Sequence, residues 1–310
     1  MKTDPVASNR ARLGAAPVTS VTAGPSPSYD LAAAEHDFPQ HAGPPRRTIL
    51  ICTHPRSGST LLGEALYFAQ GAGVALGCPL EYFHVGFRPA LEQRWGVSGT
   101  DSFIEAVHRH RTSRDGTLAV KLFWRDVAEI AADLAPGHFP DLVATPPGEV
   151  APECYRELAT LLDRIFPNPD LVHLVREDRV RQAISAAVAT DTGVWRSIPG
   201  IDDRAPASEP DFDYERIERL IAYSDACHGH WRNYFALSGV RPIPVSYETL
   251  VRDYVRTVGD LVRQLGGSGA SPSPRMQRQG GSVSEAMVAR FLREHFARQQ
   301  RDASAVMART

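Results

Sequence analysis

Thr48-Ile49-Leu50-Ile51-Cys52 is a β-branched apolar run of strand length. It leads through Pro55-Arg56-Ser57-Gly58-Ser59-Thr60 into Leu61, Leu62, Ala65, Leu66 and Ala69, which recur at helical spacing. The pattern predicts a strand, a tight loop and a helix. Further along, Leu118 to Phe123 and Leu171 to Val175 read as strands, and Ile243 to Tyr247 as a shorter one. Asp126 is the expected N-cap of the helix after the second strand, and a helix is expected from about Asp178. Val180, Ala183, Ile184, Ala187 and Val188 line one helical face. A longer face carries Ile217, Leu220, Ile221, Ser224, Cys227, Trp231 and Phe235.

Strands alternating with helices predict an α/β fold, a P-loop-like three-layer sandwich with a mostly parallel sheet and helices on both faces. Ligands are then expected at the carboxyl ends of the strands. Residues 1–46 carry prolines among Ala, Ser and Thr and no sustained apolar period, which predicts a disordered extension before a domain over 47–310. Two stretches rich in Pro, Gly or acid, Ala135 to Pro152 and Ile198 to Asp213, read as long loops over a substrate cleft, because strand-like and helix-like segments resume after each.

Composition narrows the function classes. With 310 residues and 43% apolar content the chain can bury a sizeable core. Its 34 Lys and Arg against 36 Asp and Glu give a net charge of −2, so no global basic field draws it to nucleic acid or anionic membrane. No apolar run of signal-peptide or membrane-spanning length is found, and Cys52, Cys78, Cys154 and Cys227 lack C-x-x-C spacing. A cytoplasmic protein without a metal site is the expectation.

The loop after the first strand has the chemistry of an anion cradle. Its backbone N–H groups and the start of the following helix converge where unsatisfied donors and the helix dipole favour negative charge. Ser57, Ser59 and Thr60 add hydroxyls, and Arg56 adds a forked, permanently charged donor set. Aligning Gly58 with the second glycine of a nucleoside-triphosphate P-loop puts Thr53 at the first glycine and Ser59 at the lysine. The lysine that reads β- and γ-phosphates is absent, which argues against a P-loop kinase. A second grip is Arg176, at the carboxyl end of the Leu171–Val175 strand, with Gln182 and Ser185 on the following helix. By residue type alone, Arg176 is as readily a surface ion pair with Glu177 or Asp178.

The run PRSGSTLLGEAL, then CPLEYFH from Cys78 to His84, VKLFWRD from Val120 to Asp126, HLVREDRVRQAIS from His173 to Ser185 with TGVWRS, and HWRNYF followed by PIPVSYETLV resemble the bacterial trehalose sulfotransferase family, in order and over most of residues 47–265. The resemblance implies a sulfotransferase fold that moves a sulfuryl group from 3′-phosphoadenosine-5′-phosphosulfate (PAPS) to a hydroxyl. It places Arg56, Ser57, Gly58, Ser59 and Thr60 on the 5′-phosphosulfate, and Arg176 and Ser185 on the 3′-phosphate. Arg278, followed by Gln279, matches an R-Q loop near the nucleotide. Gly280 and Gly281 stand where that family usually has Ala-Asp, and Met287 where it commonly has tryptophan.

Glu81, in Pro79-Leu80-Glu81-Tyr82-Phe83-His84, matches the family's proposed general base, and Arg56 is implied to offset charge on the leaving phosphate. Without the resemblance Glu81 reads as a solvated loop carboxylate. His84 is an alternative base, Lys121 a charge at the cleft edge or a packed edge-strand residue, and Trp124, Trp195 and Trp231 stacking platforms or core residues. Phe87 to Thr117 and Ala135 to Pro152 do not clearly match a trehalose enzyme. The implied acceptor is therefore a small molecule with a hydroxyl, on trehalose, another sugar, a glycosylated secondary metabolite or a lipid-linked precursor. The resemblance adds a homodimer to the expectations. A non-catalytic nucleotide-binding protein would share every donor-site residue.

Overall fold

The computed structural model describes residues 31–69, 75–198, 206–269, 271–277 and 279–307. Among these, strands β1 (Arg47–Thr53), β2 (Thr117–Phe123), β3 (Pro169–Val175) and β4 (Ile243–Ser246) form one sheet in the order β2-β1-β3-β4. Every pairing is parallel, with Leu50 opposite Val120 on one side and Leu171 on the other. The expected α/β architecture holds.

Side-chain alternation along the strands explains why both sheet faces are covered. Leu50, Cys52, Leu118, Val120 and Leu122 face one core, which also takes residues from α3 (Thr100–Arg111), α4 (Trp124–Leu134), α5 (Pro152–Ile165) and α7 (Tyr214–Ser238). Short α2 (Arg88–Trp95) contributes Leu91 to the same core. Ile49, Ile51, Ala119, Val172, Leu174 and Val245 face a second core built with α1 (Ser59–Phe68), Leu250 of α8 (Tyr247–Arg252) and α9 (Tyr254–Gln264). A third cluster joins Ala183 and Ile184 of α6 (Arg179–Thr192) to Met287, Val288 and Phe291 of α10 (Ser282–Met307). Met287 thus fills an apolar contact where the resembling family commonly carries tryptophan.

Two expectations need correction. Residues 31–46, grouped by composition with the extension, pack on the domain: Leu31 is buried, and its carbonyl accepts a hydrogen bond of 2.6 Å from Arg111, a residue that also holds Asp37 at 2.9 Å. Composition misled because a buried arginine, rather than an apolar period, ties this segment down; residues 1–30 lie outside the described residues. Asp126 is not the N-cap of α4 but sits one turn inside, where its Oδ2 accepts from the Phe123 N–H at 3.1 Å. The expected loop after α4 is present and packs on the domain, with Leu142 and Val150 buried and the Leu142 carbonyl accepting from the Trp124 indole at 2.9 Å. The helix expected from about Asp178 is α6, with Asp178 capping it by accepting from the Arg181 N–H at 2.9 Å.

Candidate functional site

The chain leaves β1 for β2 on one side and returns to β3 on the other, so the carboxyl ends of β1 and β3 flank the topological switch point, where open parallel sheets bind ligands. The loop 54–58 and Arg176 lie at those two ends. Arg56 and Gly58 have left-handed backbone, with φ of 65° and 82°. Gly58 is the N-cap of α1, and Ser59 and Thr60 are its first two residues. A Cβ on Gly58 would lie 2.7 Å from the Tyr247 ring, so glycine is required by space as well as by φ. Gly58→Ala is accordingly expected to lose about 1–3 kcal/mol of stability and to weaken nucleotide binding. Calorimetry finding an unchanged melting temperature and dissociation constant would refute this account of the loop.

Tyr247, at the carboxyl end of β4, carries Arg176 as well as the glycine: the Arg176 guanidinium lies 4.5 Å from the ring centroid. Arg176 is buried and donates to the Arg56 carbonyl at 3.2 Å. The Arg56 side chain donates to Ser185 Oγ at 3.0 Å, to Gln279 Oε1 at 2.5 Å and to the Trp195 carbonyl. Thus Arg56, Arg176 and Ser185, assigned by the resemblance to opposite ends of one nucleotide, meet through Arg56. Burial, and next the Arg176 charge, lower the Arg56 guanidinium to about 10, so both arginines are cationic at neutral pH and repel each other. An anion between them relieves that repulsion. A cavity of about 270 Å³ opens beside Arg56, lined also by Ser185, Thr192, Val194, Gln279 and Gly280.

Gln182 braces the cradle from α6. Its amide N–H₂ donates to the Pro55 carbonyl and to Ser57 Oγ, both at 2.9 Å, while its Oε1 accepts from Arg179 and Ser224 at 3.1 Å. Ser57 is fully buried and keeps its own O–H proton to donate. Arg278 lies outside the described residues, but its neighbour Gln279 reaches Arg56, and the Gln277 N–H donates to the Ser197 carbonyl at 3.0 Å.

Glu81 lies on a segment paired to β2 by a Leu80–Val120 bridge and by the Lys121 N–H donating to the Leu80 carbonyl at 2.9 Å. Its carboxylate is buried and meets Lys121 Nζ at 2.7 Å. The reading of Glu81 as a solvated loop carboxylate is thereby overturned; it failed because nothing in the spacing of residues 81 and 121 shows that two strand segments will lie side by side. His84 accepts from the Gly86 N–H at 3.1 Å through Nδ1, and burial lowers its pKa. With Nδ1 already engaged, a neutral His84 presents Nε2–H, a donor rather than a base. Trp124 and Trp231 are core residues, whereas Trp195 lies 6.0 Å from the Arg56 guanidinium. Among the described residues no group of three or more His, Cys, Asp or Glu could hold a metal ion, and no helix is long and apolar enough to cross a membrane.

Fold and site together define a class, a parallel α/β protein that brings a strand-to-helix loop, half-buried Arg56 and buried Arg176 together at the carboxyl ends of two neighbouring strands. The model of the Stf0 sulphotransferase family matches residues 48–294, and the chain belongs to that family. A curated relative from Mycolicibacterium smegmatis, "Trehalose 2-sulfotransferase", is 28% identical over 79% of this chain and 94% of its own length. A second protein of that name, from Mycobacterium tuberculosis, is 26% identical over 80% and 95%. A solved sulfotransferase from Alicyclobacillus acidocaldarius aligns over 81% of this chain and 92% of its own, at a TM-score of 0.39 and 17% identity.

Proposed function

We propose that this sulfotransferase takes its sulfuryl group from PAPS and places it on a carbohydrate hydroxyl in the cytoplasm, with Glu81 as general base. The observation that carries the donor assignment is the meeting of half-buried Arg56 and buried Arg176, mutually repelling, at the switch point, with a cavity of about 270 Å³ beside Arg56. That arrangement suits a ligand with phosphate at both ends of a nucleoside. Arg176, Ser185 and Arg278 would hold the 3′-phosphate, and the loop Arg56 to Thr60 the 5′-phosphosulfate. The acceptor oxygen attacks sulfur as the bond from sulfur to the 5′-phosphate oxygen breaks. That oxygen leaves with the electron pair, Arg56 offsets its charge, and the acceptor proton passes to Glu81. Trehalose is the first acceptor to test, since both curated relatives carry it in their names. Free thiols at Cys52, Cys78, Cys154 and Cys227 suit a reducing compartment.

The test is a thermal-shift titration with 3′-phosphoadenosine 5′-phosphate, against ADP and Mg-ATP. Ligand at a hundredfold over its dissociation constant adds about 2.7 kcal/mol, a rise of several degrees. Arg176→Ala removes charge-assisted hydrogen bonds worth about 1.5–3 kcal/mol and is expected to weaken binding roughly tenfold to a hundredfold. A shift with Mg-ATP alone would return the chain to the kinase reading.

A further inference from the structure

Lys121 is the charged group that the donor-site account leaves unused. It lies on β2, whose Leu118, Val120 and Leu122 face the first core, so Lys121 points with Ala119 to the opposite face, beneath α1. Its stem passes Gly63 of α1: a Cβ there would lie 3.4 Å from Lys121 Cδ. The ammonium, with its side chain 3% exposed, ends 2.7 Å from Glu81 Oε2.

A buried ion pair is a poor device for stability. Desolvating two charges cancels most of their attraction, and a well-packed apolar pair of the same volume does as well or better. This pair nevertheless stands under the loop that carries the candidate base, at the carboxyl end of the strand next to β1.

We propose that Lys121 is the positioning residue of the reaction, fixing the Glu81 carboxylate through Oε2 so that Oε1 takes the acceptor proton. This rests on the reading of Glu81 as the base. Holding one oxygen removes the carboxylate's rotational freedom and aims the other. When the acceptor O–H bond breaks and its proton joins Oε1, the carboxylate becomes neutral and the ammonium loses its counter-charge. That imbalance drives release of the proton to solvent and restores the base. The other charges around the carboxylate come from two elements. His84 on its own loop and Asp126 of α4 both feel Glu81, and Arg125 and Glu129 of α4 act on His84 beside it.

The experiment compares Lys121→Met, Lys121→Gln and Lys121→Arg with Glu81→Gln, measuring kcat, the KM for PAPS and the dependence of kcat on pH. Lys121→Met is expected to lower kcat at least tenfold with the donor KM within about twofold. The acid limb of its kcat profile should also lie at higher pH than that of the native chain, because an adjacent ammonium favours the charged carboxylate. Lys121→Gln, which keeps a hydrogen-bond donor without the charge, gives the same displacement if the Met variant does not fold, and Lys121→Arg restores activity and the acid limb at least in part. An inactive Glu81→Gln beside a Lys121→Met with native kcat and pH profile overturns the role of Lys121 and leaves the base reading standing. A fully active Glu81→Gln overturns the base reading itself, and the positioning role with it.

Discussion

Glu81→Gln is expected to lower kcat by about 10²–10⁴ while nucleotide binding is unchanged. The amide is nearly isosteric, and its carbonyl still accepts from Lys121, now 2.7 Å from Glu81 Oε2, so the buried ammonium is not left without a partner. What the amide cannot do is accept a proton from the acceptor hydroxyl. The proposed nucleotide grips, Arg56 with Ser185 and Arg176, are elsewhere, at the ends of β1 and β3, which is why binding and turnover should separate. Single-turnover rates with PAPS and trehalose, beside calorimetric binding of 3′-phosphoadenosine 5′-phosphate, measure both. Loss of binding together with turnover would mean that Glu81 shapes the donor pocket. Turnover absent from the native chain with every sugar acceptor, despite tight nucleotide binding, would favour a non-catalytic nucleotide-binding protein.

Local chemistry was the legible part of the site. The strand, the loop and α1 follow from a β-branched run, Gly58 and a helical apolar period, all within about twenty residues. The ends of β1 and β3 could be named as ligand-facing because parallel α/β topology places them there. What stayed hidden was every relation that needs two distant segments brought together. Tyr247 gave its signal only in hindsight, as the residue that follows β4 at the same end of the sheet; its ring lies on Gly58 and under Arg176. Gln182 could be placed on the polar face of α6, but not its hydrogen bonds to Pro55 and Ser57, 127 and 125 residues away. Residues 31–46 were misread for the same reason, since Arg111 reaches back across 80 residues to the Leu31 carbonyl. Hydrophobic period reports what a segment buries on its own account, not what a buried cation recruits.

Acid is expected to unfold this protein well above the pH at which carboxylates alone would do so. Four histidines lie in or beside the first core: His54 next to the cradle and His228 and His230 on α7 are buried, and His173 on β3 is half-buried. The rings of His54 and His173 lie 6.0 and 5.7 Å from that of His228, and neither ring nitrogen of His228 has a hydrogen-bond partner. Desolvation is the main cause that lowers each pKa, to about 3 for His54, 4 for His173, 2 for His228 and 4 for His230. Nearby Arg179 adds to the effect at His54, His173 and His228. In the unfolded chain a histidine titrates near 6.5. At neutral pH all four are therefore uncharged in both states, and their contribution is fully present. As pH falls below about 6.5 the unfolded state binds protons that the folded state refuses. Stability is then lost at up to about 1.4 kcal/mol per pH unit for each group, until the folded pKa is reached. The four together remove roughly 5 kcal/mol per unit, against the 5–15 kcal/mol that a typical domain possesses. Circular dichroism should therefore show cooperative unfolding between about pH 5.5 and 4. His228→Leu replaces an unpartnered ring by an apolar side chain and should move the midpoint to lower pH. A midpoint that stays put in His228→Leu would assign the acid sensitivity to other groups.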